Sequence, residues 1–296
     1  MLIFNSSVLI RGMQIVASAN KKKLVAFQGN RGAYSEAASR RFFGKDVGTL
    51  PCHSFDDVFD KVRNGDVSAG VLPIENSLTG PIYRNYDLQL KHKVWIIGET
   101  QVRIKHNLIA HHGTGIKDIK RVYSHPQGIF QCENFLSKYP NMEQIPAYDT
   151  AGSVQIIKEN GWKDAAAIAS RYAAELYGMN ILKEDIEDIK DNYTRFIIIQ
   201  KKKYIAKDAN KTSIVFSTEN IPGILFKCLS VFALRDIGMS KIESRPLHGK
   251  PWEYFFYIDI EDKIDNERCK KAISHLKEIA DFLKVLGSYK RWEEDA

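Results

Sequence analysis

The chain has 296 residues, 44% hydrophobic and 27% charged, an ordinary globular composition of about two domains. Its formal net charge of +7 is partly local, because Arg11 and Lys21, Lys22 and Lys23 all precede Leu24. The remainder carries no basic stripe with interleaved aromatics for nucleic acid, and no run of about 18 uninterrupted apolar residues for a membrane span. A mild positive bias suits a carboxylate substrate. Cys52, Cys132, Cys228 and Cys269 are widely spaced. They form no C-x-x-C pair or Cys/His cluster and read as free thiols of a reducing compartment, not as a zinc site.

Residues 1–22 are mildly apolar, rich in Ser and Asn and broken by Arg11, with no acidic residue before Glu36. This extension admits three readings: a remnant of an organelle presequence, a disordered tail, or sequence upstream of a true start at Met13. The expected location is cytoplasmic, or an organelle such as a plastid on the first reading.

From Leu24 the pattern alternates. Strands are expected over 24–28, 69–74 and 94–104, and helices over 33–43, 55–62 and 83–90. Ser54 is placed to cap the second helix, with Asp57 as a first-turn acid. A second alternating set begins near Asn107. Strands are expected over 121–124, 144–147 and 165–169. A helix over 126–139 has Pro126 in its first turn. Another over 150–159 is capped by Asp149, and one over 171–177 stops at Gly178. Repeated β-α-β units argue for parallel sheets with helices on both faces, and two sets suggest two lobes. The β-branched strand 194–200 follows the second set. If it returns to the first lobe, the chain crosses between lobes twice, and the cleft between them is a natural ligand site.

A charged linker, 201–210, precedes a change of rhythm. Strands over 212–217, 239–244, 253–260 and 282–288, with helices over 223–235 and 267–279, give the order β-α-β-β-α-β of the ferredoxin-like split unit. This reads as a separate domain.

Polar clusters follow several strands: Gly29-Asn30-Arg31-Gly32, Glu75-Asn76-Ser77, Ser124-His125-Pro126-Gln127 and Asp149-Thr150, joined by Asn192-Tyr193-Thr194-Arg195-Phe196. In open α/β sheets ligands sit outside the carboxyl ends of the strands, so the clusters point to a small anionic substrate. Gly29 and Gly32 lack a full dinucleotide fingerprint, and nucleotide binding is rejected.

Taken in order, the stretches 26–36, Leu72-Pro73-Ile74-Glu75-Asn76-Ser77, Ser124-His125-Pro126-Gln127 with Gln131-Cys132, Asp149-Thr150-Ala151, 167–170, Tyr177-Gly178, 192–196, Pro222-Gly223-Ile224-Leu225 and Glu243-Ser244-Arg245-Pro246 resemble the prephenate and arogenate dehydratase family with a C-terminal ACT domain. The resemblance runs from about Val25 to about Tyr289. It implies an α/β fold with a two-lobed catalytic domain like a periplasmic solute-binding protein, followed by a ferredoxin-like ACT domain. The expected boundaries are 23–203 for the catalytic domain (lobe one 23–104 plus 191–203, lobe two 105–190) and 211–291 for the ACT domain. The implied reaction is decarboxylative dehydration of prephenate to phenylpyruvate, or of arogenate to phenylalanine. No cofactor or metal is implied. Inhibition by L-phenylalanine and a homodimer or homotetramer through the ACT domains are.

Thr194 matches the family's catalytic threonine and is the first candidate to hydrogen-bond the departing hydroxyl. Glu75 would serve as a general acid if burial raised its pKa, and Asn76 as a donor. Ser77, Ser124, Gln127, Thr150, Arg195 and Phe196 are assigned to substrate binding. Arg195 offers a bidentate clamp for a carboxylate, or a partner for an acidic residue at the hinge. His125 is expected to make local hydrogen bonds. Pro222, Gly223, Ile224, Leu225, Glu243, Ser244, Arg245 and Pro246 are the implied effector site, with Ile224 standing where the family commonly has Ala. Two rivals remain: arogenate as the preferred substrate, and a non-catalytic amino-acid sensor or solute receptor.

Overall fold

A computed structural model describes residues 24–293 apart from 248 and 251; the readings of the 1–22 extension lie outside these residues. The first lobe opens with β1 (Leu24–Gln28), α1 (Tyr34–Phe43), β2 (Gly48–Cys52) and α2 (Phe55–Asn64). It continues with β3 (Ala69–Asn76), the two-residue β4 (Gly80–Pro81), α3 (Tyr83–Lys91) and β5 (Trp95–Arg103). The second lobe has β6 (Asn107–Ala110), β7 (Arg121–Ser124), α4 (Pro126–Phe130), α5 (Glu133–Leu136) and β8 (Glu143–Pro146). Then come α6 (Thr150–Asn160), β9 (Ala165–Ala169), α7 (Arg171–Tyr177) and β10 (Asn180–Lys183). β11 (Tyr193–Gln200) returns to the first lobe. The C-terminal unit is β12 (Lys211–Ser217), α8 (Ile224–Ala233), β13 (Met239–Pro246), β14 (Tyr254–Ile260), α9 (Glu267–Ile279) and β15 (Phe282–Tyr289).

Local signals set several boundaries. Ser54 and Asp57 form a reciprocal capping box at α2, Asp149 caps α6 by accepting from the Gly152 N–H, and Gly178 ends α7 with a left-handed backbone. The single helix expected over 126–139 is two. The Gln131 carbonyl accepts from the Asp188 N–H, and the Asp188 carboxylate accepts from the Asn134 N–H. A distant acid thus caps a new helix start, a tertiary contact no local pattern announces.

The sheets are mixed, not wholly parallel. β1 runs parallel to β2 and β3, but β11 lies antiparallel between β3 and β5. In the second lobe the order is β10-β6-β9-β7-β8, with β6 antiparallel to β9 and β10. A strand returning from the other lobe enters at the hinge end and so runs against its neighbours.

The C-terminal unit has sheet order β13-β14-β12-β15. Its β15 meets β5 at Gly287 and Ile96, joining it to the first lobe in one ten-stranded sheet. A Cβ at Gly287 would lie 2.1 Å from the Ile96 carbonyl oxygen, so only glycine permits this approach. One face of the C-terminal sheet packs Ile214, Phe216 and Ile258 with its own helices. The other packs Val215 and Tyr257 with Phe59, Tyr86 and Leu88 of the first lobe.

Candidate active site

β3 and β11 pair so that Asn76 faces Thr194 across the strands. The register shifts between Arg195 and Phe196, whose partners are Glu75 and Pro73, leaving Ile74 as a bulge residue. Bulges re-aim neighbouring side chains. Asn76 Nδ2 lies 3.0 Å from Thr194 Oγ1, 2.7 Å from Asn192 Oδ1 and 3.1 Å from the Tyr193 carbonyl. Asn76 Oδ1 accepts from the Leu78 and Thr79 N–H groups. The amide is therefore held at both ends, and Thr194 Oγ1 is an acceptor whose own proton remains to be donated. Ser77 accepts from the Tyr193 N–H and donates to the Asp191 carbonyl, tying the strand end to the returning crossing segment. Asn192, named in the cluster but given no role of its own, is fully buried, and its Nδ2 has no partner among the described residues.

Several sequence assignments change, those of Arg195, Glu75 and Phe196 first. Arg195 does not face the cleft. Strand alternation turns it to the face opposite Thr194, where it donates to Glu75 (2.9 Å), Glu99 (3.1 Å) and Asp259 (2.9 Å). With its guanidinium committed to three carboxylates, it is no clamp for substrate; its acidic partners lie in β3, β5 and β14, one of them in the C-terminal unit. Glu75 is not poised as an acid. Burial pushes its pKa up, but the Lys241 ammonium and the Arg195 guanidinium outweigh that and bring it below the ordinary carboxyl value. Phe196 is 1% exposed and packs with Val25, Ala38 and Ile97 in the core, so it supports the strand and does not touch a ligand.

In the second lobe, Ser124 is fully buried and donates to the Ile168 carbonyl at 2.7 Å, binding β7 to β9. His125 accepts from the Gln127 N–H through Nδ1, the local bond expected of it, and burial lowers its pKa despite Asp149. Gln127 is exposed and Thr150 half-buried, each within the first two residues of a helix. Asp149 caps α6 with one oxygen and accepts from the Asn30 N–H with the other at 3.0 Å, bonding the lobes together. Gly32 lies against Ala173 of α7, and Ser170 donates to the Gly32 carbonyl. The Gly29–Gly32 cluster therefore meets the Asp149–Thr150 cluster across the lobes, and the Glu75–Ser77 cluster meets the 192–196 segment beside the crossing.

The hinge holds a second network that the motifs did not reveal. Tyr34 donates to the Lys105 carbonyl and contacts His106 Nδ1; His106 Nε2 lies 2.9 Å from Gln131 Oε1, and Glu187 accepts from the His106 N–H. The available signals were Tyr34 within the stretch 26–36 and the Gln131-Cys132 pair. For the Arg195 network the signal was a lone acid in an apolar strand: Glu99 in β5 and Asp259 in β14.

In the C-terminal unit, a pocket of about 360 Å³ is lined by Gly223, Ile224, Leu225 and Ser244, with Trp252, Tyr254 and Phe256 among its aromatic walls. Pro222, Glu243, Arg245 and Pro246 are not among its lining residues. Arg245 instead pairs with Asp87 of α3 at 2.8 Å and stacks on Tyr83. Among the described residues no group of three or more His, Cys, Asp or Glu is disposed to hold a metal.

A family profile described as prephenate dehydratase matches residues 25–204. The arogenate dehydratase/prephenate dehydratase 2, chloroplastic, of Arabidopsis thaliana is 47% identical over 276 residues, covering 90% of this chain and 72% of that protein. A solved prephenate dehydratase from Arthrobacter aurescens, in complex with L-Phe, superposes with a TM-score of 0.83 at 33% identity over 90% of each chain. A structure described as a novel type of quorum quenching acylase superposes equally well, at 30% identity over 91% of this chain and 98% of that one. The profile spans both lobes, including the paired strands that carry Thr194 and Asn76, and with the identity to the Arabidopsis enzyme it shows that this chain belongs to the prephenate dehydratase family.

Proposed function

We propose that the chain catalyses decarboxylative dehydration of prephenate, with arogenate as the alternative substrate, in phenylalanine biosynthesis. The carrying observation is the Thr194–Asn76 pair at the junction of the lobes. In the reaction the ring C–C bond to the carboxylate breaks and CO2 leaves. Its electron pair completes the aromatic ring and expels the para hydroxyl, which takes a proton and departs as water. Aromatisation drives the step, so the protein's work is positioning and stabilising charge on the departing oxygen. Asn76 donates to Thr194 Oγ1, which aims the threonine proton away from the asparagine and toward the cleft. A hydrogen bond from Thr194 then strengthens as the leaving oxygen gains charge. Gln127 and Thr150, polar side chains in the first turns of α4 and α6, are the proposed substrate contacts in the second lobe; Ser77 ties β3 to the crossing segment and Ser124 ties β7 to β9.

The solved relative in complex with L-Phe supports the C-terminal pocket as a site for that effector, with aromatic walls from Trp252, Tyr254 and Phe256. Assembly through these units is part of the same proposal. The chloroplastic relatives favour the organelle reading of the extension. The acylase likeness lacks a matching constellation: among the described residues, histidine rings hydrogen-bond Tyr34, Gln131, the Ile157 carbonyl and the Gln127 N–H. None is paired with a serine, threonine or cysteine nucleophile.

The test is turnover of prephenate and of arogenate by the purified chain, with and without phenylalanine. Phenylpyruvate from prephenate supports the main reading. Phenylalanine formed from arogenate alone moves the assignment to that substrate. No product from either, with the protein folded, overturns both.

A further inference from the structure

Strands β13 and β14 carry the effector pocket on one face and the catalytic lobe on the other. On β13, Ser244 lines the pocket. Lys241 and Arg245, on the alternate face, reach into the first lobe. Lys241 bonds Glu75 at 3.2 Å and the Tyr86 hydroxyl, and Arg245 bonds Asp87. On β14, Tyr254 and Phe256 line the pocket, whereas Tyr257 donates to the Tyr86 carbonyl and Asp259 accepts from Arg195. The inward side chains meet in one buried cluster of Arg195, Lys211 and Lys241 against Glu75, Glu99 and Asp259. Ser213 donates to Asp259, and Tyr289 meets Ser213 at 2.7 Å.

We propose that Arg195 is a positioning residue that couples the pocket to the reaction: its ion pairs with Asp259 and Glu75 register Thr194, one peptide bond away on the opposite face of β11, against the C-terminal sheet. A ligand that shifts β13 or β14 must reset these pairs. Arg195 cannot follow without moving the backbone that holds Thr194 opposite Asn76. The path from pocket to hydroxyl crosses two strands, β13 or β14 and then β11. Coupling through it is a difference in free energy between two placements of one strand. The inference rests on the dehydratase reading and on phenylalanine as the pocket's ligand.

The test uses the full chain and its Lys241→Met and Asp259→Asn variants, with phenylalanine binding read by calorimetry separately from turnover. In both variants phenylalanine should bind within about threefold of wild type, while the concentration that half-inhibits turnover rises about tenfold. Lys241→Met should keep basal kcat within about twofold, and Asp259→Asn should lower kcat about tenfold at nearly constant KM. Inhibition that still tracks binding in both variants overturns the proposal, and if Asp259→Asn does not fold, the amide exchange of residues 193–196 in wild type decides. A wild-type chain that binds phenylalanine yet turns over neither substrate overturns the dehydratase reading instead. Amide exchange of residues 193–196 then tests the coupling: phenylalanine should alter it in wild type and not in Lys241→Met, and no change in wild type overturns the proposal.

Discussion

At the scale of the residue, the site turns on which way a hydroxyl points. Thr194 is 8% exposed and takes a hydrogen bond from Asn76, so its proton is directed by an amide that is itself fixed by two backbone N–H groups. Thr194→Ala is expected to lower kcat by about 10²–10³ with little change in KM, the size of losing one oriented donor to a developing oxyanion, while Thr194→Ser retains most of the rate. Steady-state kinetics on the preferred substrate checks both. Asp149 serves two elements at once. Asp149→Ala should cost about 1–2 kcal/mol, combining a lost helix cap with the lost bond to Asn30 across the lobes, as measured by urea denaturation. The motif was legible around Thr194 because its residues are contiguous. The orientation of Arg195 was not, since a period of two names the face only after one neighbour is placed.

At the scale of the element, junctions decide more than propensities. Gly32 has a φ of +91°, and a Cβ there would lie 3.0 Å from the Ala173 Cα. Gly32→Ala is therefore expected to lose about 2 kcal/mol or more and to raise KM, because the loop it distorts carries the Asn30 bond to the second lobe; denaturation and kinetics together separate the two effects. Strand alternation at the end of β3 puts Asn76 and Glu75 on opposite faces of the first-lobe sheet, one beside Thr194 and one beside Arg195. Caps at Ser54, Asp149 and Gly178 were legible because they involve residues within a turn of each other. The break between α4 and α5 was not, since its cause is Asp188, more than fifty residues away.

At the scale of the whole molecule, the C-terminal unit is built into the first lobe through one sheet and one buried charge cluster. Asp259 carries the clearest pH signature of that union. Burial raises its carboxyl, but Arg195 and Lys211 outweigh it and hold the pKa at about 2 against an ordinary 3.8. A carboxyl depressed on folding contributes stability above its unfolded value and loses it as pH falls through the folded one. Stability should therefore decline from about pH 4 toward about pH 2, and Asp259→Asn should flatten that part of the curve. Urea midpoints measured across the range check the slope.

The order of elements, the two-lobed α/β plan, the β-α-β-β-α-β tail and the polar clusters at strand ends were written in the sequence, because each rests on local periodicity, caps or contiguous residues. Tertiary structure alone decided that β11 runs antiparallel, that Ser124 turns inward, that Arg195 and Glu75 serve the C-terminal unit and not the cleft, and that Gly287 joins two sheets into one. Those outcomes depend on which distant strand becomes a neighbour, and the face a side chain occupies exists only once that neighbour is in place.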